Sequence, residues 1–561
     1  MQEKKSNLTR RMLLAGGASL PLAASGMWTQ SAAADSPPAT TGSGHAGSEP
    51  VRSSPTVGPG GRQGITWPEG QALPHFASPK HLDVADIETD DVTRAEKVLF
   101  TTLQGVVNAE RPRIYLLQDS EEGKQTWLQD LEVPWTEHDR WDLMRRYASH
   151  VSGVVIWDPS VEATVNIATT LAGVHRAVAT SPEVAERLAA APYHLEVVAD
   201  LREQAFGSDL EAYTWQFEQL WSQTTNRMLV SVSPQDHPGF IRDYAVANQA
   251  MVFWLEVNAE DERALFERIL SEVEPYTPYL GWFASDIQGE FGGTELVAAH
   301  GGYVVPADFL CNATVFAGVR TDVGGQPAPP APELENKIYI ALTMGEGDNF
   351  QYNQHKLRVL WEDPNRGALP ISWTTSPLLA DGAPSMLAYY QRTATENDCL
   401  VAGPSGAGYI YPGAWPDETF EVFTTKTGEY MQATGIRVIQ ILNRADHEDV
   451  DLTETKATRY AQDSGALGWF IHHTDHTELS AVAGVPQSVN HLVGEVQEAK
   501  DAIAQAAEGW DGNSPLFAGI SPLAWNLTPT DLVEVVNGLG PEYEVVRADH
   551  FFELARKHLG L

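Results

Sequence analysis

Residues 399–412 read Cys399-Leu400-Val401-Ala402-Gly403-Pro404-Ser405-Gly406-Ala407-Gly408-Tyr409-Ile410-Tyr411-Pro412. The first four form a short apolar run bounded by turn residues, which is the pattern of a buried strand. Three glycines and two prolines follow, so the chain cannot continue as sheet or enter a helix at once. It becomes an irregular loop that brings backbone close to something else. Tyr409, Tyr411 and, just beyond, Trp415 carry flat apolar rings with polar tips, suited to the C–H faces and hydroxyls of a sugar. Residue types alone equally allow a tight loop whose tyrosines pack.

Working outward, further strand-like runs lie at 337–342, 368–373, 437–442, 466–471, 516–520 and 544–546, with helical segments between them. Seven strands alternating with helices predict an α/β fold with a parallel sheet, closed as a (β/α) barrel that is distorted or seven-stranded. Ligands in such folds bind at the carboxyl ends of the strands. Those ends are rich in chemistry. They carry Glu346-Gly347-Asp348-Asn349, Trp373-Thr374-Thr375-Ser376, the 403–412 loop, Asn443-Arg444-Ala445-Asp446-His447, His472-His473-Thr474-Asp475-His476, Trp525-Asn526 and Arg547-Ala548-Asp549-His550. Carboxylates, imidazoles, amides and aromatic rings gathered on one rim point to a site.

Gly406-Ala407-Gly408-Tyr409-Ile410-Tyr411-Pro412 matches G-x-G-Y-x-Y-P and resembles the signature of the GxGYxYP family, a group with an inferred glycoside hydrolase activity. Met344-Gly345-Glu346-Gly347-Asp348-Asn349 is similar to that family's G-D-N segment. Leu369-Pro370-Ile371-Ser372-Trp373 and Tyr389-Tyr390-Gln391-Arg392-Thr393-Ala394 also resemble it. Upstream, Pro79-Lys80-His81-Leu82 and the segment from Thr101 to Asn108 look like the family's amino-terminal region. The resemblance covers nearly the whole mature chain and implies a carbohydrate substrate.

Glycoside hydrolysis needs two carboxyl groups across the scissile bond, one an acid and the other a nucleophile or base. Asp348 is the first candidate, lying directly after a strand between residues that let the backbone bend. Asp475 is the second, Glu346 the third, with Asp446 and Asp549 in reserve. Asn349, Arg444 and His473 would hydrogen-bond sugar hydroxyls, and Trp373, Tyr409, Tyr411 and Trp415 would supply stacking surface. This chemistry needs no cofactor. The alternative is metal-dependent: His472, His473, Asp475 and His476 are zinc-type ligands, and a deacetylase-like hydrolase would use metal-bound water. Adjacent residues on a strand point to opposite faces, so one site cannot use all four. A third reading is a carbohydrate-binding protein without turnover. Ser405 does not sit in G-x-S-x-G, which weakens a serine-hydrolase reading.

The remainder sets the context. At 561 residues the chain exceeds one hydrophobic core. Lys4, Lys5, Arg10 and Arg11 precede an apolar stretch and Ala32-Ala33-Ala34, so residues 1–34 read as a twin-arginine export signal. Residues 35–75, rich in Pro, Gly and Ser, read as a disordered linker. Residues 76–320 read as an amino-terminal α/β domain, with strands near 113–117, 153–157, 227–232 and 250–255. Within it, Thr93 and Glu96 form a capping box opening a helix to about Asn108. Residues 321–332 form a second linker, and 333–561 the barrel-like domain. A formal charge of -38 disfavours nucleic acid and anionic membrane as partners, and polyanionic glycans unless a local basic groove exists. No stretch after the signal is long and apolar enough to span a bilayer. Cys311 and Cys399, the only two cysteines, are expected to be buried and unpaired.

Overall fold

Thr93 begins the first long helix in the way its spacing predicts. Its hydroxyl accepts from the Glu96 N–H, and Glu96 Oε2 accepts from the Thr93 N–H at 3.0 Å. The structure is a computed structural model, and it describes residues 64–326, 328–347, 349–445, 448–473 and 478–561, without the side chains of 286–288 and 473.

Composition assigns residues 64–75 to the linker, yet Ile65–Thr66 pairs antiparallel with His75–Phe76. Two residues per strand leave no periodicity to read. From Leu82 three small parallel sheets follow. The first orders β2 (Ile114–Leu117), β1 (Leu82–Asp86) and β3 (Trp135–Glu137), with helices α1 (Arg94–Asn108) and α2 (Arg140–Tyr147). The second orders β5 (Val178–Thr180), β4 (Val154–Ile156) and β6 (Val197–Asp200), with α3 (Ala163–His175). The third orders β8 (Ala250–Phe253), β7 (Thr225–Ser231), β9 (Pro278–Gly281) and β10 (Tyr303–Pro306). Helix α4 (Arg242–Asn248) and helix α5 (Asp286–Ala299) belong to this third unit. Helix α5 has almost no amphipathic pattern, because three glycines interrupt it. A β-carbon on Gly293 would lie 2.2 Å from the Phe283 ring, so glycine there lets the helix sit against that ring.

The carboxy-terminal half is a closed seven-stranded parallel barrel with flanking helices. Its strands are β11 (Ile338–Met344), β12 (Ile371–Thr375), β13 (Asp398–Ala402), β14 (Val438–Ile441), β15 (Gly468–His473), β17 (Val485–Val493) and β18 (Leu516–Pro522). Thr343 opposite Ser372 and Met344 opposite Trp373 close the ring. A short strand β16 (Leu479–Val482) pairs antiparallel with β17. Helices α6 (Phe420–Thr434) and α7 (Glu454–Asp463) cover β14 and its neighbours.

Seven strands were expected, but one differs. The seventh barrel strand is β17, whose polar residues and Pro486 hid it, since proline inside a run argues against a central strand. The expected strand at 544–546 is β19 (Tyr543–Val546), which pairs only with the first half of β11 and lies outside the ring. Arg547 beyond it donates to both Asp549 oxygens at 2.9 and 2.8 Å and to the Glu396 carbonyl, just before β13 begins. Asp549 therefore belongs to a buried ion pair at the barrel's amino end and not to the rim.

The barrel interior explains what the strands carry. Tyr339, Val401, Val438, Phe470 and Phe517 come from five strands around the ring and share one cluster with Phe551 and Phe552 of α8 (Ala548–Leu559). A single helix can touch residues from all sides of a barrel only from inside its mouth, so α8 plugs the amino end. Ser372 Oγ accepts the first helical N–H, that of Ala548, at 2.9 Å. Strand alternation then puts Ser372, Thr374, Gln440, His472 and Asn490 inside, and Ile371, Trp373, Ile439 and Ile471 outside against the helices.

Cys311 and Cys399 are both free and buried. Burial raises both thiols, Cys399 to about 12. Neither should react with an aromatic disulfide reagent at pH 8 until denaturant is added, when both titrate. Labelling of either in the native protein would contradict their placement.

Candidate functional site

At the carboxyl end of the ring, three polar groups line the wall without hydrogen-bond partners: Thr343 Oγ1, Asn490 Oδ1 and Ser521 Oγ, all buried. Buried polar atoms are normally satisfied, and orphans clustered in a barrel interior mark where a ligand or water would bind. Asn490 Nδ2 donates to Gln440 Oε1 at 2.9 Å across this layer. Above it Glu346 follows β11, 6% exposed, and its Oε1 accepts from Asn349 Nδ2 at 2.5 Å. Asn349 also lies beside Ser376, Pro404, Gly408, Tyr409 and Val304 of β10, in a crevice too narrow to hold a ligand as it stands.

The signature loop joins the two halves of the chain. Val304 and Tyr409 exchange both backbone hydrogen bonds, at 2.8 and 2.9 Å. Ser405 is fully buried, and its hydroxyl donates to the Ile410 carbonyl at 2.8 Å, so it ties the loop together and is no exposed nucleophile. The Tyr409 hydroxyl donates to Glu290 Oε1 at 2.7 Å, and the Tyr411 hydroxyl lies 3.1 Å from that of Tyr409. Burial pushes both phenols well above their usual range, so they remain neutral donors. Since Tyr409 gives its proton to Glu290, Tyr411 donates to Tyr409.

Glu290 was not found from the sequence. It stands on α5, a helix that its own glycines disguise as loop. A β-carbon on Gly347 would lie 3.4 Å from Glu290 Oε1, so the third amino-terminal sheet delivers a carboxylate to the barrel mouth beside Glu346. A glutamate flanked by glycines at 289, 292 and 293 is the faint signal that was there.

The other expected residues divide. Asp348, Asp446, Asp475 and His476, together with the side chain of His473, lie outside the described residues. Arg444 does reach the rim, but its Nη1 is 3.3 Å from Asp449 Oδ1 and its guanidinium lies 4.3 Å over the Phe291 ring. Asp449 Oδ2 is in turn 3.6 Å from His472 Nδ1, so Asp449 links β15 to Arg444 and was not anticipated. Among the described residues no three His, Cys, Asp or Glu side chains converge as metal ligands. The expected stacking surfaces are corrected. Trp373 is fully buried on the outer face of β12, its Nε1 donating to Asp398 and its ring 5.3 Å from that of Trp361. Trp415 is 1% exposed between Phe420 and Phe423. The Tyr409 and Tyr411 rings are buried too, and what they bring to the site is their hydroxyl pair.

Tyr409→Phe keeps the ring packing and leaves Glu290 without that donor. It should lower stability by about 1–2 kcal/mol, read from the urea midpoint. An unchanged midpoint would show that the bond carries no net stabilisation.

A closed parallel barrel with a polar mouth and carboxylates from two directions defines an α/β barrel protein with a candidate site at the carboxyl ends of its strands. The chain belongs to the GxGYxYP family. Its first domain matches residues 81–148, its second 151–224 and its third 226–318, and the "GxGYxYP putative glycoside hydrolase C-terminal domain" matches 336–556. A crystal structure of "a putative hydrolase from Bacteroides thetaiotaomicron" is similar, with a TM-score of 0.75 and 21% identity. That match covers 86% of this chain and 96% of the other, a likeness of fold. No curated protein matches. No helix among the described residues is long and apolar enough to cross a membrane.

Proposed function

We propose that this chain is an exported glycoside hydrolase that cleaves a neutral oligo- or polysaccharide by paired-carboxyl chemistry at the barrel mouth. The observation that carries the reading is the approach of Glu290 to Gly347, close in sequence to Glu346 and Asn349, which form a buried pair. Asp348, next in sequence to Gly347, and Asp475 are the proposed catalytic pair, with Glu346 in reserve. One protonates the leaving oxygen while the other attacks the anomeric carbon or activates water. Glu290, held by Tyr409 and close to Gly347, is proposed to add negative charge near a developing oxocarbenium ion. Arg444 and Asn349 are proposed to bond sugar hydroxyls. Export by the twin-arginine segment belongs to the same proposal.

The test is a screen of the mature protein against neutral oligosaccharides, with and without chelator. Chelator-insensitive release of reducing sugar supports the reading. Chelator-sensitive release of acetate would replace it with deacetylation by the histidine cluster, and saturable binding with no product would replace it with a lectin-like role.

A further inference from the structure

A second concave site lies far along the chain from the barrel mouth. In the first amino-terminal unit, Lys80, Arg111, Arg113 and Arg146 surround a pocket of about 490 Å³, with His81 and His138 on its wall. That volume falls in the range of small-molecule sites. Four permanent cations face one buried carboxylate, Asp83, in a chain with 75 acidic and only 37 basic residues. Chance surface composition would give the opposite balance.

The cations are not consumed by ion pairs. Asp83 accepts from Tyr147 at 2.5 Å and is shared with His138 at 3.0 Å and Arg146 at 3.3 Å, so it neutralises little beyond Arg146. Arg113 is bonded to His150 at 2.9 Å and lies 3.6 Å from Glu110. Arg111 and Lys80 have no ion-pair or hydrogen-bond partner among the described residues, and the Arg111 Nε is buried. A half-buried guanidinium left without an acceptor is costly unless something else supplies one. Lys80–His81 and Arg111–Arg113 precede β1 and β2, so the pocket sits at the amino ends of those strands. The side chains themselves, and no helix terminus, provide the field.

We propose that this pocket binds an oxyanion, a sulfate, phosphate or carboxylate group, held by Arg111 and Lys80 with Arg113 and Arg146 around it. Planar guanidinium groups suit such groups through paired hydrogen bonds. The oxyanion is either a free ion or a substituent on a saccharide, and the local basic groove that an anionic glycan would need is present. The proposal does not depend on hydrolysis at the barrel.

Calorimetric titration of the mature protein in low-chloride buffer, with inorganic sulfate, inorganic phosphate and glucose 6-sulfate, tests it. Saturable binding at one site is expected. Arg111→Gln with Lys80→Gln should weaken it at least about tenfold, and Arg111→Lys alone should weaken it less. Tighter binding of glucose 6-sulfate than of sulfate would identify a glycan substituent; equal or weaker binding would identify the free ion. Because neither residue is paired, the double variant should melt with the wild type, and its action on neutral sugars should be unchanged. No saturable binding of any of the three probes, or identical affinities in wild type and the double variant, would overturn the site.

Discussion

On the proposed paired-carboxyl mechanism, Asp348→Asn is expected to lower turnover of a saccharide substrate by about a thousandfold and to leave its binding nearly intact. The amide keeps the size and the hydrogen-bonding reach of the carboxyl but can neither give a proton nor bear the charge that a nucleophile or base requires. Glu290→Gln provides the comparison. It retains an acceptor for Tyr409 and removes only the charge, so a residue acting through its neighbours should cost about ten- to a hundredfold, mostly in kcat. Single-turnover kinetics with ligand affinity measured separately distinguishes the two. If Asp348→Asn keeps a tenth of the activity while Glu290→Gln abolishes it, the roles are exchanged and Glu290 becomes the catalytic residue. If both retain full activity, the paired-carboxyl reading at this mouth fails.

Much of the architecture could be read because the barrel follows simple rules. β11, β13 and β15 are apolar runs ending in polar rim residues, and sheet topology gave the rim its meaning. β17 escaped because it does the opposite. Its inward face carries Ser488 and Asn490, its first residues pair with the short strand β16, and Pro486 interrupts it, so the usual apolar strand pattern is absent. Glu290 escaped for a related reason: α5 is built for close approach to Phe283, and the glycines that allow this erase its amphipathic signature. Aromatic residues misled in the other direction. Trp373 and Trp415 look like sugar platforms when only residue type is known. Strand alternation turns Trp373 outward, and Trp415 packs into the helical layer beside α6. Residue type reports what a side chain can do, while the register of its strand decides where it does it.

The seven-residue signature was legible as a loop but not as the segment that pairs with β10. Gly408 shows why glycine is required there. Its φ is +127°, a backbone region that side chains rarely adopt, and a β-carbon would lie 2.3 Å from the Tyr303 ring. Both penalties fall where Tyr409 exchanges backbone bonds with Val304. Gly408→Ala should therefore cost about 2–5 kcal/mol, combining backbone strain with overpacking against a ring whose centroid already lies 4.5 Å from that of Tyr276. The loop can relieve the clash only by withdrawing from β10, which would take the Tyr409 hydroxyl away from Glu290. Equilibrium denaturation should show the loss as a lower midpoint, and turnover should fall with it even well below that midpoint. A substitution such as Gly484→Ala, at another left-handed glycine with open space around it (φ +82°), supplies the control for strain without contact. Equal losses at the two positions would mean that the Tyr303 contact contributes nothing, and that the signature glycine serves only the turn.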